Sequence, residues 1–276
     1  MNDSGVKIIA EIGINHNGSM ENAKKLVDVA AFSGCDYVKL QKRTPELCVP
    51  EHQKQKIRKG TPWGDISYID YKHKVEFEKD EYDELFEYCA SKNIALFASV
   101  WDLPSVDFMA KYTNIGKIPS ALITDLELVA YAREKFETLI VSTGMSTEEE
   151  IEEVMKLKPD VVMHTNSTYP SPVEELNLNY LYHLKEKYTD VETGYSGHEF
   201  GLLTTIATIP MGATWIERHI TLNRTMWGSD QMASVEPHGL IKLVKGIREV
   251  ESSLGVKSER ILYHSELEKR KSLRGV

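Results

Sequence analysis

The chain has 276 residues, 41% of them hydrophobic and 27% charged, enough for one large α/β domain with a substantial core and typical of a soluble globular protein. Its 33 Lys and Arg against 42 Asp and Glu give a formal charge of -9, which argues against a nucleic-acid-binding face and leaves room only for a local basic pocket. Three widely spaced cysteines, Cys35, Cys48 and Cys89, suggest neither a disulfide framework nor a zinc knuckle; with no signal-like start and no apolar run of spanning length, a cytoplasmic protein without membrane contact is expected.

Residues 7–13 read as a first strand, closed by Asn15-His-Asn-Gly18. Ser19 is placed to cap a helix in which Ala23, Leu26, Val27, Ala30 and Ala31 keep helical spacing, and Gly34 ends it. A second strand over 36–41 completes the β-α-β spacing of a parallel crossover. The insertion of about residues 42–77, with Pro50, Gly60-Thr-Pro-Trp-Gly64, Tyr68 and Tyr71, is too long for an ordinary connection and predicts a lid, a binding loop or an interface element. Alternation then resumes: helix 78–91, strand 94–99, helix 103–112, and strand 115–120, with Pro119 at its end, where a missing N–H is tolerable. Helix 125–136, strand 138–142, helix 147–157, strand 161–165, helix 173–188 and strand 191–196 follow. A helix over 201–211 leads to Thr214-Trp-Ile-Glu-Arg-His-Ile-Thr221, and a last helix over 237–254 precedes a charged C-terminal extension, 255–276.

Eight strands in strict alternation with helices predict a (β/α)8 TIM barrel, one catalytic domain over residues 1–254. An open doubly wound sheet would want a GxGxxG turn after a strand, and none is present.

The stretch Thr214–Thr221 sets apolar Trp215, Ile216 and Ile220 around Glu217, Arg218 and His219, groups that are costly to bury unless paired, hydrogen-bonded or bound to metal. Glu217 either orients a ligand or balances Arg218. In a barrel the C-terminal strand ends converge on one face. Those ends supply Glu11, Asn15, His16, Lys39, Gln41, Ser99, Lys117, Ser120, Ser142, Thr143, His164, Asn166, Ser167, Tyr169, Ser196, His198, Glu217 and His219. Two lysines with several hydroxyls suit a phosphate and a carboxylate, and two histidines with a carboxylate nearby suit a divalent metal with open coordination. Singly, Ser99, Ser120, Ser142 and Ser196 read more readily as turn or cap residues, Lys39 and Lys117 could emerge to solvent, Gln41-Lys-Arg43 could be a solvated charge run, and His16, a loop residue, and His164 could be ordinary hydrogen-bonded histidines.

Together these residues resemble a known family, the sialic acid synthases and their relatives that make legionaminic, pseudaminic and other nonulosonic acids. The matching pieces, in family order, are Ile9-Ala-Glu-Ile-Gly-Ile-Asn-His-Asn-Gly18, Tyr37-Val-Lys-Leu-Gln41, Val141-Ser-Thr-Gly-Met145, Tyr169-Pro-Ser-Pro172, Gly194-Tyr-Ser-Gly-His198 and Ile216-Glu-Arg-His-Ile-Thr221. The resemblance implies condensation of phosphoenolpyruvate with the open-chain aldehyde of an N-acylated amino sugar, with release of phosphate. It implies that His198 and His219 are ligands of Mn2+ or Mg2+, and that Glu11, Lys39 and Lys117 are catalytic. Enolpyruvate contacts would come from Lys39, Ser99, Lys117, Ser120, Ser142, Ser167 and Ser196, and sugar contacts from Glu11, Gln41, Tyr169 and Asp230. A homodimer or larger homo-oligomer is expected. Three departures fall on the sugar side: Leu122 stands where many relatives carry a glutamate, Gly228-Ser-Asp-Gln231 lacks the family's histidine, and Lys271-Ser-Leu-Arg-Gly-Val276 stands where the family continues into an antifreeze-like domain. The alternatives are condensation with a phosphorylated sugar aldehyde and a non-catalytic ligand-binding barrel.

Overall fold

A sheet of parallel strands closes on itself only if its outer side is covered and its inner side filled, and the strand sequences of this chain meet both conditions. The computed structural model describes residues 5–255 and 259–275. Its strands are β1 (Lys7–Gly13), β2 (Tyr37–Lys42), β3 (Ile57–Thr61), β4 (Gly64–Ser67), β5 (Ala95–Val100), β6 (Ile115–Ile118), β7 (Thr138–Ser142), β8 (Val161–Thr165), β9 (Glu192–Gly197) and β10 (Trp215–His219). Eight of them form a closed parallel barrel in the order β1-β10-β9-β8-β7-β6-β5-β2, the expected (β/α)8 architecture, while β3 and β4 pair as a separate antiparallel hairpin.

Strand periodicity sorts the layers. Along β10, Trp215 points inward and joins Ile9, Phe97, Ile140, Val161 and Met163 in an apolar plug inside the barrel. Ile216 points outward into the large core between strands and helices, which also takes Ile8, Ala10, Ile12, Val38 and Leu40. Each such Ile, Leu, Val, Phe or Met side chain contributes roughly 1.5–3 kcal/mol when fully buried. Above the plug the inward positions turn polar, so the barrel interior is oily at one end and charged at the other.

The first helix, Met20–Ser33, begins where Ser19 accepts from the Asn22 N–H and stops at Gly34, whose φ of +84° is the left-handed conformation a glycine adopts without strain. Three expectations change. The helix foreseen over 173–188 is a 3-10 turn, Val173–Glu175, and a helix, Tyr180–Lys187, separated where Asn177 takes a φ of +44°. The helix foreseen over 201–211 is only Leu203–Ala207, in a stretch rich in β-branched Thr204, Thr205, Ile206 and Thr208 that lose rotamer freedom in a helix. The fourth barrel strand ends at Ile118, and Ser120–Leu122 is already a 3-10 turn beyond Pro119.

The insertion has structure of its own: short helices Pro45–Cys48 and Glu51–Lys54, the β3–β4 hairpin, and helix Tyr68–Val75. It folds onto the barrel mouth through Tyr71 and Val75, which bury with Ile14 and pack against Trp63, Ile66, Tyr68 and Trp227. Gly18 makes that contact possible, because a Cβ there would lie 2.0 Å from the Lys74 carbonyl oxygen. In the C-terminal extension, helix His264–Arg274 buries no residue. The extreme ends and one link of that extension, residues 1–4, 256–258 and 276, lie outside the described residues.

Candidate active site

The register of the barrel assembles the charged end. Glu11 on β1 lies level with Lys39 on β2 and with His219 on β10; Gln41 lies level with Ser99, Ser99 with Lys117, and Glu217 with Ser196. All point into one cavity of about 300 Å³, which every residue expected to hold enolpyruvate, sugar or metal also lines.

Its floor is a buried charge network. Lys39 Nζ lies 2.8 Å from Glu11 Oε2, donates to Ser99 Oγ at 2.7 Å, and is 3.7 Å from Glu217 Oε1. Lys117 Nζ donates to Glu217 Oε1 at 2.7 Å, and Ser196 Oγ donates to the same oxygen at 3.1 Å. Burial alone would raise the Glu217 carboxyl, but Lys117 and Lys39 together hold it down to about 2, so it stays ionised. Burial, helped by Glu217, pushes the Glu11 carboxyl up against the pull of Lys39. Burial also pushes the Lys117 ammonium down, offset in part by Glu217. Two carboxylates driven in opposite directions in one network suit one to constant charge and the other to proton transfer.

Beside this floor lies a cradle of hydroxyls. Ser142 Oγ and Ser167 Oγ are buried without a hydrogen-bond partner in the described structure, and each such orphan costs roughly 1–3 kcal/mol. Gly144 donates its backbone N–H to Ser120 Oγ at 3.1 Å. A Cβ on Gly144 would lie 2.1 Å from Ser167 Oγ and 2.8 Å from Ser120 Oγ, so only glycine lets these two hydroxyls converge. Such a group of donors beside two ammonium ions suits a phosphate or carboxylate.

The two imidazoles stand on the adjacent side, with ring centroids 5.3 Å apart. His198 Nδ1 donates to the Asn166 carbonyl at 2.6 Å, which leaves Nε2 as the lone-pair nitrogen. Burial and the neighbouring His219 push the His198 imidazole down to about 3, so it is neutral and able to ligate. His219 Nδ1 is buried without a hydrogen-bond partner, 4.0 Å from Asp230 Oδ2. An orphaned imidazole nitrogen beside a second, neutral imidazole fits a divalent metal. Among the described residues no three His, Cys, Asp or Glu gather into a ready-made centre, so further ligands would come from substrate or water. Tyr169 covers this pair, its ring centroid 4.1 Å from that of His198.

Several sequence readings are corrected. Lys42 and Arg43 are not a solvated run: both are buried, Lys42 3.3 Å from Glu76 Oε1 and Arg43 Nε 3.3 Å from Glu76 Oε2. Glu217 does not balance Arg218, because alternation sends them to opposite faces. Arg218 points outward and is held by Glu199 at 3.2 Å, Thr205 Oγ1 at 2.7 Å and the Gly201 carbonyl at 3.0 Å. His164 also faces outward, bonded to the Leu176 carbonyl at 2.6 Å, and His16 stacks on Phe77 at 4.1 Å. Leu122 does not reach the cavity and lines a neighbouring groove with Trp101 and Leu103.

Sequence reasoning missed Arg43, Lys72, Trp101, Gly144, Met145, Thr165 and Ser229 at the site, and it placed Glu217 on the right face without deciding its role. Arg43 was within reach, since Lys39, Gln41 and Arg43 continue one period-two face. Nothing local distinguishes Lys72 from His73 and Lys74.

The NeuB family matches residues 26–259 of the chain. The N,N'-diacetyllegionaminic acid synthase of Campylobacter jejuni is 35% identical over 258 residues, covering 90% of this chain and 77% of the relative. The human N-acetylneuraminate-9-phosphate synthase is 33% identical over 264 residues, covering 92% and 73%. Among solved structures, the N-acetylneuraminic acid synthetase of Leptospira borgpetersenii in complex with citrate superimposes with a TM-score of 0.85 at 30% identity, over 98% of this chain and 93% of that one.

Proposed function

The chain belongs to the NeuB family, and on that premise we propose that it is a transferase joining phosphoenolpyruvate to the aldehyde of an N-acylated amino sugar, giving a nonulosonic, sialic-type acid and inorganic phosphate. The observation that carries the reading is the cavity itself: paired ammonium groups, converging hydroxyls without partners and two adjacent imidazoles within one closed barrel end.

The enol carbon of phosphoenolpyruvate bonds to the aldehyde carbon, whose oxygen takes up a proton. Water then adds to the oxocarbenium carbon and loses a proton, and cleavage of the bond from that carbon to the phosphate oxygen, with the proton of the new hydroxyl passing to the departing phosphate, leaves the 2-keto acid. In this proposal Lys39 and Lys117, with Ser99, Ser120, Ser142, Ser167 and Ser196, bind the carboxylate and phosphate and stabilise departing phosphate. Glu11, Gln41, Tyr169 and Asp230 hold the sugar. The raised Glu11 carboxyl is suited to give a proton to the aldehyde oxygen or to take one from the attacking water. His198 and His219 would hold the divalent cation, of Mn2+ or Mg2+ type. When bound, such a cation would polarise the aldehyde oxygen as a Lewis acid. The barrel, residues 1–254, is proposed to act in the cytoplasm as a homodimer or larger homo-oligomer; among the described residues no helix is long and apolar enough to cross a membrane.

The test is direct: supply phosphoenolpyruvate, a divalent metal and a panel of N-acyl amino sugars, and follow phosphate together with a 2-keto acid. Stoichiometric appearance of both supports the reading. Phosphate without keto acid, or neither, rejects it.

A further inference from the structure

The insertion is tied together at its neck by one buried carboxylate. Arg43 stands at its start, and Glu76 follows helix Tyr68–Val75 at its end. Glu76 Oε1 accepts the Arg43 backbone N–H at 2.9 Å and lies 3.3 Å from Lys42 Nζ, while Glu76 Oε2 lies 3.3 Å from Arg43 Nε. All three residues are buried. The two cations then part. Lys42 donates to the Phe77 carbonyl at 2.8 Å and lies 5.0 Å from the ring centre of Phe108, on the outer side of the barrel, whereas Arg43 lines the cavity 4.6 Å from the ring centre of Trp101.

From Arg43 a chain of contacts runs inward. Arg43 Nη2 donates to Gln41 Oε1, and Gln41 Nε2 donates to Glu11 Oε1 at 3.4 Å. Glu11 Oε2 lies 2.8 Å from Lys39 Nζ, so each oxygen of that carboxylate faces one donor. A guanidinium only donates and an ionised carboxylate only accepts, so an amide between them has one orientation, oxygen toward the arginine and nitrogen toward the glutamate. With Arg43 gone from its place, the amide is free to turn over and set its oxygen against Glu11, where two acceptors would meet. Gly13 permits the close approach, since a Cβ there would lie 3.1 Å from Glu11 Oε1 and 3.3 Å from Gln41 Nε2.

We infer that Glu76 is a positioning residue for Glu11: by clasping the neck of the insertion it holds Arg43 on Gln41, and through Gln41 it fixes the direction in which Glu11 meets the acceptor aldehyde. Glu76 itself stands behind the cavity wall and acts only through these two side chains. The seat of the insertion and the aim of the acid–base group are thereby one unit, and loosening the neck costs turnover rather than the binding of phosphoenolpyruvate. The inference rests on the condensing activity proposed above, in which Glu11 handles the proton, and adds the device that aims it.

The experiment measures kcat and both KM values, with the 2-keto acid as readout, in wild type, Glu76→Gln, Arg43→Met, Gln41→Met, Lys42→Met and the double variant Glu76→Gln with Gln41→Met. Glu76→Gln is expected to lower kcat by roughly 10–100-fold, as for a misdirected acid–base group, while the KM for phosphoenolpyruvate holds. Arg43→Met leaves Glu76 paired with Lys42 and should lower kcat by a similar factor, so the test stands even where Glu76→Gln does not fold. The double variant should be no slower than the slower of its two single variants, because both changes break one chain of contacts. Lys42→Met removes a partner of the same carboxylate from the outer side and should keep kcat within about twofold of wild type. Effects of Glu76→Gln and Gln41→Met that multiply overturn the inference, as does a Glu76→Gln effect confined to a KM or to the melting temperature, or a Lys42→Met loss equal to that of Arg43→Met. If wild type gives keto acid with no acceptor, the condensation reading fails, and crystal structures of Glu76→Gln and Arg43→Met still decide the chain of contacts: Gln41 turned away from Glu11 upholds it, and Gln41 unmoved overturns it.

Discussion

Glu217 and Arg218 are chain neighbours with opposite fates, because a strand sends successive side chains to opposite faces. Glu217 enters the cavity to meet Lys117, while Arg218 ties β10 to the segment after β9 through Glu199. Gly144 shows the same dependence on a single position. Gly144→Ala would place a methyl group among Ser120 and Ser167, and we expect the KM for phosphoenolpyruvate to rise by a factor on the order of 100, with the melting temperature little changed. An unchanged KM would remove the cradle from the binding site. His16 supplies a pH signature. Burial, with the Arg43 charge, pushes its imidazole down to about 3. Below the unfolded value of roughly 6.5 the unfolded chain therefore takes up a proton that the folded chain refuses. Stability is complete above that pH and is lost as the pH falls toward 3, by about 2 kcal/mol at pH 5. Urea melts of wild type and His16→Gln at pH 7.5 and pH 5 should show a smaller pH decrement in the variant; equal decrements would reject a buried, neutral imidazole.

At the level of elements, the insertion is the part that sequence patterning described least. Its length and place predicted a lid or interface, and the structure resolves it into a hairpin and helices seated on the mouth. The seat is aromatic, with Tyr71 at 5.1 Å and Trp63 at 6.4 Å from Trp227, edge to face. A double-mutant cycle on Tyr71→Leu and Trp227→Leu should return a coupling of about 0.5–1.5 kcal/mol in stability, and both single variants should raise the acceptor KM. Additive variants would mean that the two rings do not hold the lid. The barrel strands were legible because their apolar runs and following helices repeat. The helix over 173–188 was not, because its break at Asn177 is a left-handed turn inside a pattern that otherwise keeps helical spacing.

For the whole molecule, the division into barrel and extension predicts that truncation after Gly255 changes the stability of the barrel by no more than about 0.5 kcal/mol, since helix His264–Arg274 buries nothing. A larger loss in chemical denaturation would show that the extension belongs to the folded unit. The sequence by itself determined the eightfold alternation, and with it the face on which Glu11, Lys39, Lys117, His198 and His219 must end, because strand period and crossover length are local properties. Tertiary structure alone decided which charges meet. That Lys117 pairs with Glu217 across 100 positions of chain, that Arg43 is buried against Glu76, and that Lys72 faces the cavity without a carboxylate partner within the described residues follow from barrel closure and from the seating of the insertion. Those contacts depend on distance in space, which spacing along the chain does not encode.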